Sequence, residues 1–324
     1  MAEILVTGAT GNVAHPIARR LVAEGHRVRA LVRDPERARG ILPEGVDTAA
    51  GDVTDAESVR AAVRGCAVVY HAAGLPEQWR RDAGDFARVN VGGTRNVAEA
   101  ALATGVERFV YTSTIDVFAW RRGVPFDETV LAAEPKGTPY ERSKQEADRL
   151  VVAMVGRGLP AVFVHPAAVY GPAPVLTGAN ALLADLARGR LPMLLPGGMP
   201  LVYSDDVAAG HILAAGAAVG SRYILSDTYR RLSEMAEAVA REVPGAKTPR
   251  VMPGAVAHLV SVAGEALARL TGKPPLIPRG GLYFVESHAV PDAARARSEL
   301  GWSATPFGAG LPQAIAHFRA QGWI

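Results

Sequence analysis

The sequence predicts an α/β fold: a doubly wound parallel sheet followed by a smaller C-terminal α/β lobe. Three observations predict it. Through the first 166 residues, short apolar runs alternate with segments whose apolar positions recur at helical spacing. A glycine-rich turn joins the first run to the first helical segment. Past Pro166 the alternation fades and the chain becomes rich in proline and glycine, as in "HPAAVYGPAPVLTGAN" and "LPMLLPGGMP". Residues 1–166 therefore read as one unit and 167–324 as a second, with 200–226 returning to the first.

"EILVTG" is the first strand and "NVAHPIARRLVAE", 12–24, the first helix. "RVRALVR" and the weaker "VDTAAGD" follow as strands. In "DAESVRAAVRG", Asp55 is a good N-cap and Gly65 a good stop. "AVVYHAAG", "RFVYTST" and "PAVFVHP" are the fourth to sixth strands, separated by helical patterns at 83–104 and 139–157. Strands alternating with helices of that length imply a parallel sheet covered on both faces. Helical patterns return at 177–189, 204–218, 232–242, 254–271 and 308–321. The stretch 254–270, "GAVAHLVSVAGEALARL", carries an apolar face; packing on the small lobe is preferred to touching a membrane or roofing a pocket.

Composition narrows the class. At 324 residues, 49% hydrophobic and 21% charged, the chain can bury a sizeable core. The net charge is +3, and the basic residues are nearly all arginine. Doublets such as Arg19-Arg20, Arg80-Arg81, Arg121-Arg122 and Arg230-Arg231 are scattered, with no basic arm, so no nucleic-acid partner is expected. Cys66 is the sole cysteine, which excludes an intrachain disulfide and a thiolate metal cluster. "MAEILVTG" has no charged and apolar regions of a signal peptide, and no apolar run approaches the roughly 20 residues of a membrane span. A cytoplasmic protein with no stable membrane insertion and no metal is expected.

The chemistry begins at "TGATGNVA", spaced Gly8-x-x-Gly11-x-x-Ala14. Gly8 allows a tight turn, Gly11 lets the backbone approach a pyrophosphate, and Ala14 allows close helix–strand packing. Thr10, Asn12 and Val13 belong to the same turn. At this strand–helix junction the pattern reads as a Rossmann-type dinucleotide site. Arg33 ends the second strand, where a guanidinium suits a ribose 2′-phosphate, and Arg37 can add to it. Asp34 can still accept from a ribose hydroxyl. NADP(H) is favoured and NAD(H) stays open. Asp52, with Val53 after it in "GDV", reads either as a partner for the adenine amino group or as a cap. In "PYERSK", Tyr140 and Lys144 fall one helical turn apart on one face, a phenol beside an ammonium.

Together with "HAAG" at 71–74, "VNVGGTRNV" at 89–97, "VYTST" at 110–114, "HPAAVYGP" at 165–172, "VYSDDVAAGHILAA" at 202–215 and "ARSELGW", these motifs resemble the extended short-chain dehydrogenase/reductase family, within the NAD-dependent epimerase/dehydratase superfamily. The resemblance covers nearly the whole chain. It implies Tyr140 as catalytic acid/base, with Lys144 lowering its pKa and holding the nicotinamide ribose. It implies Thr114 on the substrate oxygen, with Ser113 as a stand-in. Ala72, Ala73, Gly74 and Thr112 would line the cofactor, and Pro166, Ala167 and Val169 would bracket the nicotinamide. Asn90 matches the family's asparagine, or else braces its helix. The helices at 83–104 and 139–157 would form a homodimer face.

Departures narrow the substrate. Family dehydratases resemble "TDEVYG" where this chain has "TIDVFA", with Ile115 in place of the proton-donating aspartate. Sugar-acting members often carry an arginine where this chain has Met199, Pro200 and Leu201. Trp79, Phe118, Trp120, Tyr283 and Phe284 are candidate walls for a flat apolar substrate. The chain looks closest to the 3β-hydroxysteroid dehydrogenase-like and dihydroflavonol-reductase-like branches, implying a ketone reductase acting on a largely apolar polycyclic, phenolic, steroid-like or acyl substrate. A sugar epimerase is the rival enzyme. A dinucleotide-sensing regulator is the rival from another class, and the Tyr–Lys pair argues against it.

Overall fold

The computed structural model describes residues 3–324. Its strands are β1 (Glu3–Thr7), β2 (Arg27–Val32), β3 (Val46–Ala50), β4 (Val68–His71), β5 (Arg108–Thr112), β6 (Pro125–Phe126), β7 (Ala161–Pro166), β8 (Ala168–Tyr170), β9 (Gly198–Tyr203), β10 (Arg222–Leu225), β11 (Thr228–Arg231) and β12 (Val290–Pro291). Its helices are α1 (Ala14–Ala23), α2 (Pro35–Arg39), α3 (Ala56–Val63), α4 (Gly84–Phe86), α5 (Thr94–Thr104), α6 (Pro139–Val155), α7 (Gly178–Ala187), α8 (Ser204–Ala214), α9 (Leu232–Glu242), α10 (Gly254–Thr271), α11 (Arg279–Glu286), α12 (Ala294–Leu300) and α13 (Phe307–Ala320). α4 runs into α5 through a π-helical stretch, Ala87–Gly93.

Seven parallel strands form the main sheet in the order β10-β7-β5-β4-β1-β2-β3. The central strands are apolar on both faces because helices cover both. All six residues of β7 are buried, as are the last four of β1. One core joins Ile17, Leu21, Val207 and Ile224, from the α1 and α8 side. The other joins Val59, Val97, Phe109 and Val151, from the α3, α5 and α6 side. Strand order reverses between β1 and β4, which opens a crevice at their carboxyl ends.

β7 ends at Pro166, and the next strand belongs to a different sheet, β11-β9-β8. A third core, with Leu183, Leu201, Met235, Leu311 and Phe318, lies there. The six strands and two long helices expected in the first half are present. The return segment differs from its expected bounds. Gly198–Tyr203 is the middle strand of the small sheet, and the chain comes back to the main sheet only with α8, which packs on α1, and with β10 at its edge.

Candidate active site

The turn after β1 has the shape a pyrophosphate needs. Gly8 has φ +77°, and a Cβ there would lie 2.9 Å from the Ala73 Cα, so glycine is required both by conformation and by the approach of the β4 end. The Gly11 N–H donates to the Gly8 carbonyl at 2.8 Å. α1 then starts with no side-chain cap and no acid in its first turn, which leaves its N-terminal amides and the positive end of its dipole to an anion. Asn12 Nδ2 donates to Thr177 Oγ1 at 3.0 Å, tying this turn to the start of α7, while its buried Oδ1 has no partner. The residues present thus fit a dinucleotide. Thr10 and Val13 complete the turn, Val13 in the N-cap position.

At the end of β2, Arg33 is exposed, and so is Arg37 a turn later. The Asp34 carboxylate caps α2, accepting from the Arg37 N–H at 3.1 Å. Asp52 closes a turn of its own: Oδ1 accepts from the Thr54 N–H and hydroxyl, both at 2.8 Å. The capping reading of Asp52 is therefore observed for this oxygen. Val53 is buried, and its carbonyl accepts from Asn96 Nδ2 at 2.9 Å.

Ala72, Ala73 and Gly74 follow β4 directly. The Ala73 N–H donates to Thr7 Oγ1 at 3.2 Å. That hydroxyl also meets His71 Nδ1 at 2.7 Å, and His71 Nε2 meets Thr94 Oγ1 at 3.0 Å. Burial, then the Lys144 charge, drives the His71 imidazole down to about 3, so it stays neutral. Asn90, in the π-helical stretch, is a brace. Its Oδ1 accepts from the Leu75 N–H at 2.7 Å, and its Nδ2 donates to the Leu75 carbonyl and to Ser143 Oγ. It fixes the loop after β4 against α6.

Tyr140 and Lys144 lie near the start of α6. The helix opens with a capping box: the Glu141 N–H donates to Thr138 Oγ1 at 3.1 Å, and Glu141 Oε2 accepts from the Thr138 N–H at 2.9 Å. Pro139 holds the first helical position, which makes Tyr140 the second residue of the helix. Lys144 Nζ donates to the Thr112 carbonyl at 2.9 Å, and its Tyr111 contact is longer, 3.5 Å. The Thr112 hydroxyl meets His211 Nε2 at 2.9 Å, so its side chain holds α8 and only its carbonyl serves Lys144.

The hydroxyls of β5's end are sorted by their partners. Ser113 Oγ donates to Asp148 Oδ2 at 2.7 Å. Arg222 makes an ion pair with Asp148 at 2.8 Å and donates to His165 Nε2 at 3.3 Å, while His165 Nδ1 lies 3.1 Å from the Thr114 carbonyl. Ser113 is thereby a structural hydroxyl. Thr114 Oγ1 donates to Asp116 Oδ2 at 2.8 Å and accepts from the Asp116 N–H at 3.3 Å, and the Tyr140 phenol lies near enough for that hydroxyl to act on its pKa.

Lys144 is not among the main groups that shift the Tyr140 phenol. Burial raises it far above the ordinary phenol value, and the Asp116, Glu77 and Glu141 carboxylates push the same way, against the Thr114 hydroxyl. Lys144 is itself lowered to about 8, chiefly by burial. The carboxylates gather because the Thr138 turn collects them: Thr138 Oγ1 donates to Glu77 Oε2 at 2.7 Å. Burial raises Glu77 to about 6 and Glu141 to about 7, and it also raises Asp116. Lys136 stands beside them with its Nζ 3.0 Å from the Trp120 ring centroid, and burial lowers it to about 8. Reading the sequence missed Asp116, Glu77, Glu141, Asp148, His165 and Arg222. Asp116 had a signal: it stands two residues after Thr114 in "TIDVFA".

Pro166, Ala167 and Val169 mark the crossing between sheets, and the Ala167 N–H donates to the Leu225 carbonyl at 3.0 Å. Of the candidate pocket walls, Phe118 is a core residue, fully buried with its ring 4.6 Å from His165. Phe284 packs on the small-lobe core. Trp120 stacks on Phe126, and Tyr283 is exposed beside Gly137. Among the described residues, no group of three or more His, Cys, Asp or Glu is disposed to hold a metal ion, and no helix is long and apolar enough to cross a membrane.

Residues 4–225 match the model of the NAD dependent epimerase/dehydratase family. Sterol demethylase protein B of Methylococcus capsulatus is 32% identical over 99% of both chains. A 4-hydroxy-2-methyl-3-oxo-4-farnesyl-3,4-dihydroquinoline-1-oxide ketoreductase of Stigmatella aurantiaca is 30% identical over 92% of this chain and 91% of its own. The UDP-glucose 4-epimerase of Thermus thermophilus, solved with NAD, superposes with a TM-score of 0.78 at 26% identity, over 98% of this chain and 99% of that one. With a family match over more than half its length and a relative of this identity from end to end, the chain belongs to the NAD-dependent epimerase/dehydratase family of extended short-chain dehydrogenases/reductases.

Proposed function

We propose that the protein is an NADP(H)-dependent ketone reductase for an apolar, polycyclic or long-chain substrate, working reversibly as a secondary-alcohol dehydrogenase. The observation that carries this reading is the meeting of the β5 end with the start of α6: Lys144 Nζ donates to the Thr112 carbonyl at 2.9 Å, which brings Tyr140, one turn earlier on α6, to the strand end that carries Thr114. Two relatives lend support by name, one a sterol-acting protein and one a ketoreductase for a farnesylated quinoline. Met199 and Leu201, buried in β9, offer no guanidinium to a sugar nucleotide.

The turn at Gly8–Val13 and the loop Ala72–Gly74 would hold the dinucleotide, Arg33 would take its 2′-phosphate, and the bound nicotinamide supplies the hydride. Thr114 and Tyr140 receive the substrate oxygen. As the carbonyl carbon is reduced, the Tyr140 O–H transfers its proton to that oxygen. Lys144, charged below its value of about 8, balances the phenolate left behind. Residues 167–324 supply the substrate lobe, and the helices at 84–104 and 139–155 the face of a homodimer.

The test is a panel of steroid, aromatic and prenylated ketones scored for NADPH consumption, with cofactor affinities measured alongside. Arg33→Ala should weaken NADPH by about tenfold or more and leave NADH nearly unchanged, as expected for a charge-assisted contact to phosphate. Equal losses for both cofactors would remove the 2′-phosphate contact from the account.

A further inference from the structure

The helix α10 is packed inside out. Its buried positions are small: Ala257, Ser261 and Ala268. Its large apolar side chains point to solvent, with Leu259 70% and Leu270 86% exposed, and Val256, Val262 and Leu267 between them. On a helical wheel these five fall within one face of about 140°. Every exposed position of the helix is apolar except His258, Arg269 and Thr271, and none is acidic. Leu276, 84% exposed, extends the apolar surface just past the helix end.

The rim of this face carries one sign of charge. Arg269, Lys273, Arg279 and Arg81 are all exposed. The Arg81 guanidinium comes within 3.7 Å of where a Cβ on Gly272 would stand, at the end of α10. Two nearby acids are half-buried and partnered: Glu265 accepts from the Arg279 N–H at 3.1 Å, and Glu286 pairs with His258 at 3.0 Å. An apolar stripe with a basic rim is complementary to an acyl-chain surface carrying anionic headgroups. It is a poor match to a second copy of itself, because a two-fold contact sets like rims face to face. No helix of the described residues can cross a membrane, so the helix would lie on the surface.

α10 packs on α11, which borders the candidate active site. The neighbouring helix α11 brings Gly280 against the Glu77 carboxylate and Tyr283 against Gly137, three residues before Tyr140. We propose that the outer face of α10, continued by Leu276, docks the protein on anionic lipid bilayers, with the α10–α11 pair between the bilayer and the catalytic cleft. The docking stands on the surface alone. Its use in taking an apolar ketone from the bilayer rests on the function proposed above.

The experiment is flotation of the full chain with vesicles, which requires no turnover and so separates this proposal from the reductase reading. Wild-type protein should float with phosphatidylcholine–phosphatidylglycerol vesicles, less with phosphatidylcholine alone, and less as salt is raised. The double variant Leu259→Glu/Leu270→Glu should lower partitioning by about tenfold or more. Arg269→Ala and Lys273→Ala should each lower it roughly fivefold. Leu213→Glu, at an exposed leucine on α8, should leave it unchanged. Circular dichroism checks that each variant is folded. Wild-type protein remaining in solution with both vesicle types would overturn the proposal. So would a dimer in sedimentation equilibrium that Leu259→Glu/Leu270→Glu dissociates, since the face would then join two copies.

Discussion

A hydroxyl has one proton to donate, and at Thr114 that proton points to Asp116 Oδ2 at 2.8 Å. While Asp116 is ionised, Thr114 can only accept from Tyr140 or a substrate hydroxyl. Once Asp116 is protonated, it can donate to Thr114, whose own proton is then free for a ketone oxygen. Burial holds the Asp116 carboxyl above its ordinary range, against the Thr114 hydroxyl and the Lys136 and Lys144 charges, and Glu77, Tyr140 and Glu141 face the same space. Ketone reduction should therefore fall as pH rises through that elevated value. Asp116→Asn should lose this limb and keep the fall near pH 8 from Lys144. A wild-type profile identical to that of the Asn variant would show that Asp116 does not set the direction of the Thr114 proton. In the sequence, Tyr140 and Lys144 stand out by their four-residue spacing, and Thr114 by the family resemblance of "VYTST". It hid Asp148, His165 and Arg222 because Asp148 meets Ser113, and Arg222 meets Asp148 and His165, only through folding, 35 and more residues apart.

Between residue and fold stands the first turn of α6, where one threonine performs three tasks. Thr138 caps the helix, positions Tyr140 two residues on, and donates to Glu77. Thr138→Ala should cost about 1 kcal/mol of stability through the lost cap and lower turnover by more than that loss explains, while Thr138→Ser retains both. Thermal melts and kinetics on the same samples check this. An active, merely less stable Ala variant would mean that the cap does not orient the phenol. The long elements were legible for the physical reason that a buried strand or amphipathic helix repeats its pattern over several residues. β9 was not, because "GMPLVY" carries a proline and lies in a glycine-rich run, and β8 and α11 are too short to show a period.

At the scale of the whole molecule, three neutral histidines hold the elements together. His71 joins β1, β4 and α5, His165 joins β7 to the Arg222–Asp148 pair, and His211 joins α8 to β5. Burial depresses them from 6.5 to about 3, 3 and 4, so their contribution is complete above pH 6.5 and is lost as pH falls toward those values. Glu77 and Glu141, raised from 4.5 to about 6 and 7, act in the opposite sense: they favour the fold below 4.5 and less as pH rises. From pH 6.5 to 4.5 the two groups partly cancel. Below 4.5 the histidines are unopposed, at about 1.4 kcal/mol per pH unit for each. With three histidines against two glutamates, calorimetry should find a shallow fall in Tm from pH 6.5 to about 4.5 and a steeper fall beneath it. A uniform decline from pH 7 would mean that the carboxylate cluster is not held protonated as described.

Proton donation by the Tyr140 phenol in a nicotinamide-dependent reduction can be read in single-turnover kinetics of Tyr140→Phe beside the wild type, with NADPH and a ketone that the wild type consumes. NADPH affinity should be unchanged and the hydride-transfer rate lower by roughly a hundredfold to ten-thousandfold. Turnover of Tyr140→Phe at the wild-type rate would rule the phenol out as the proton donor.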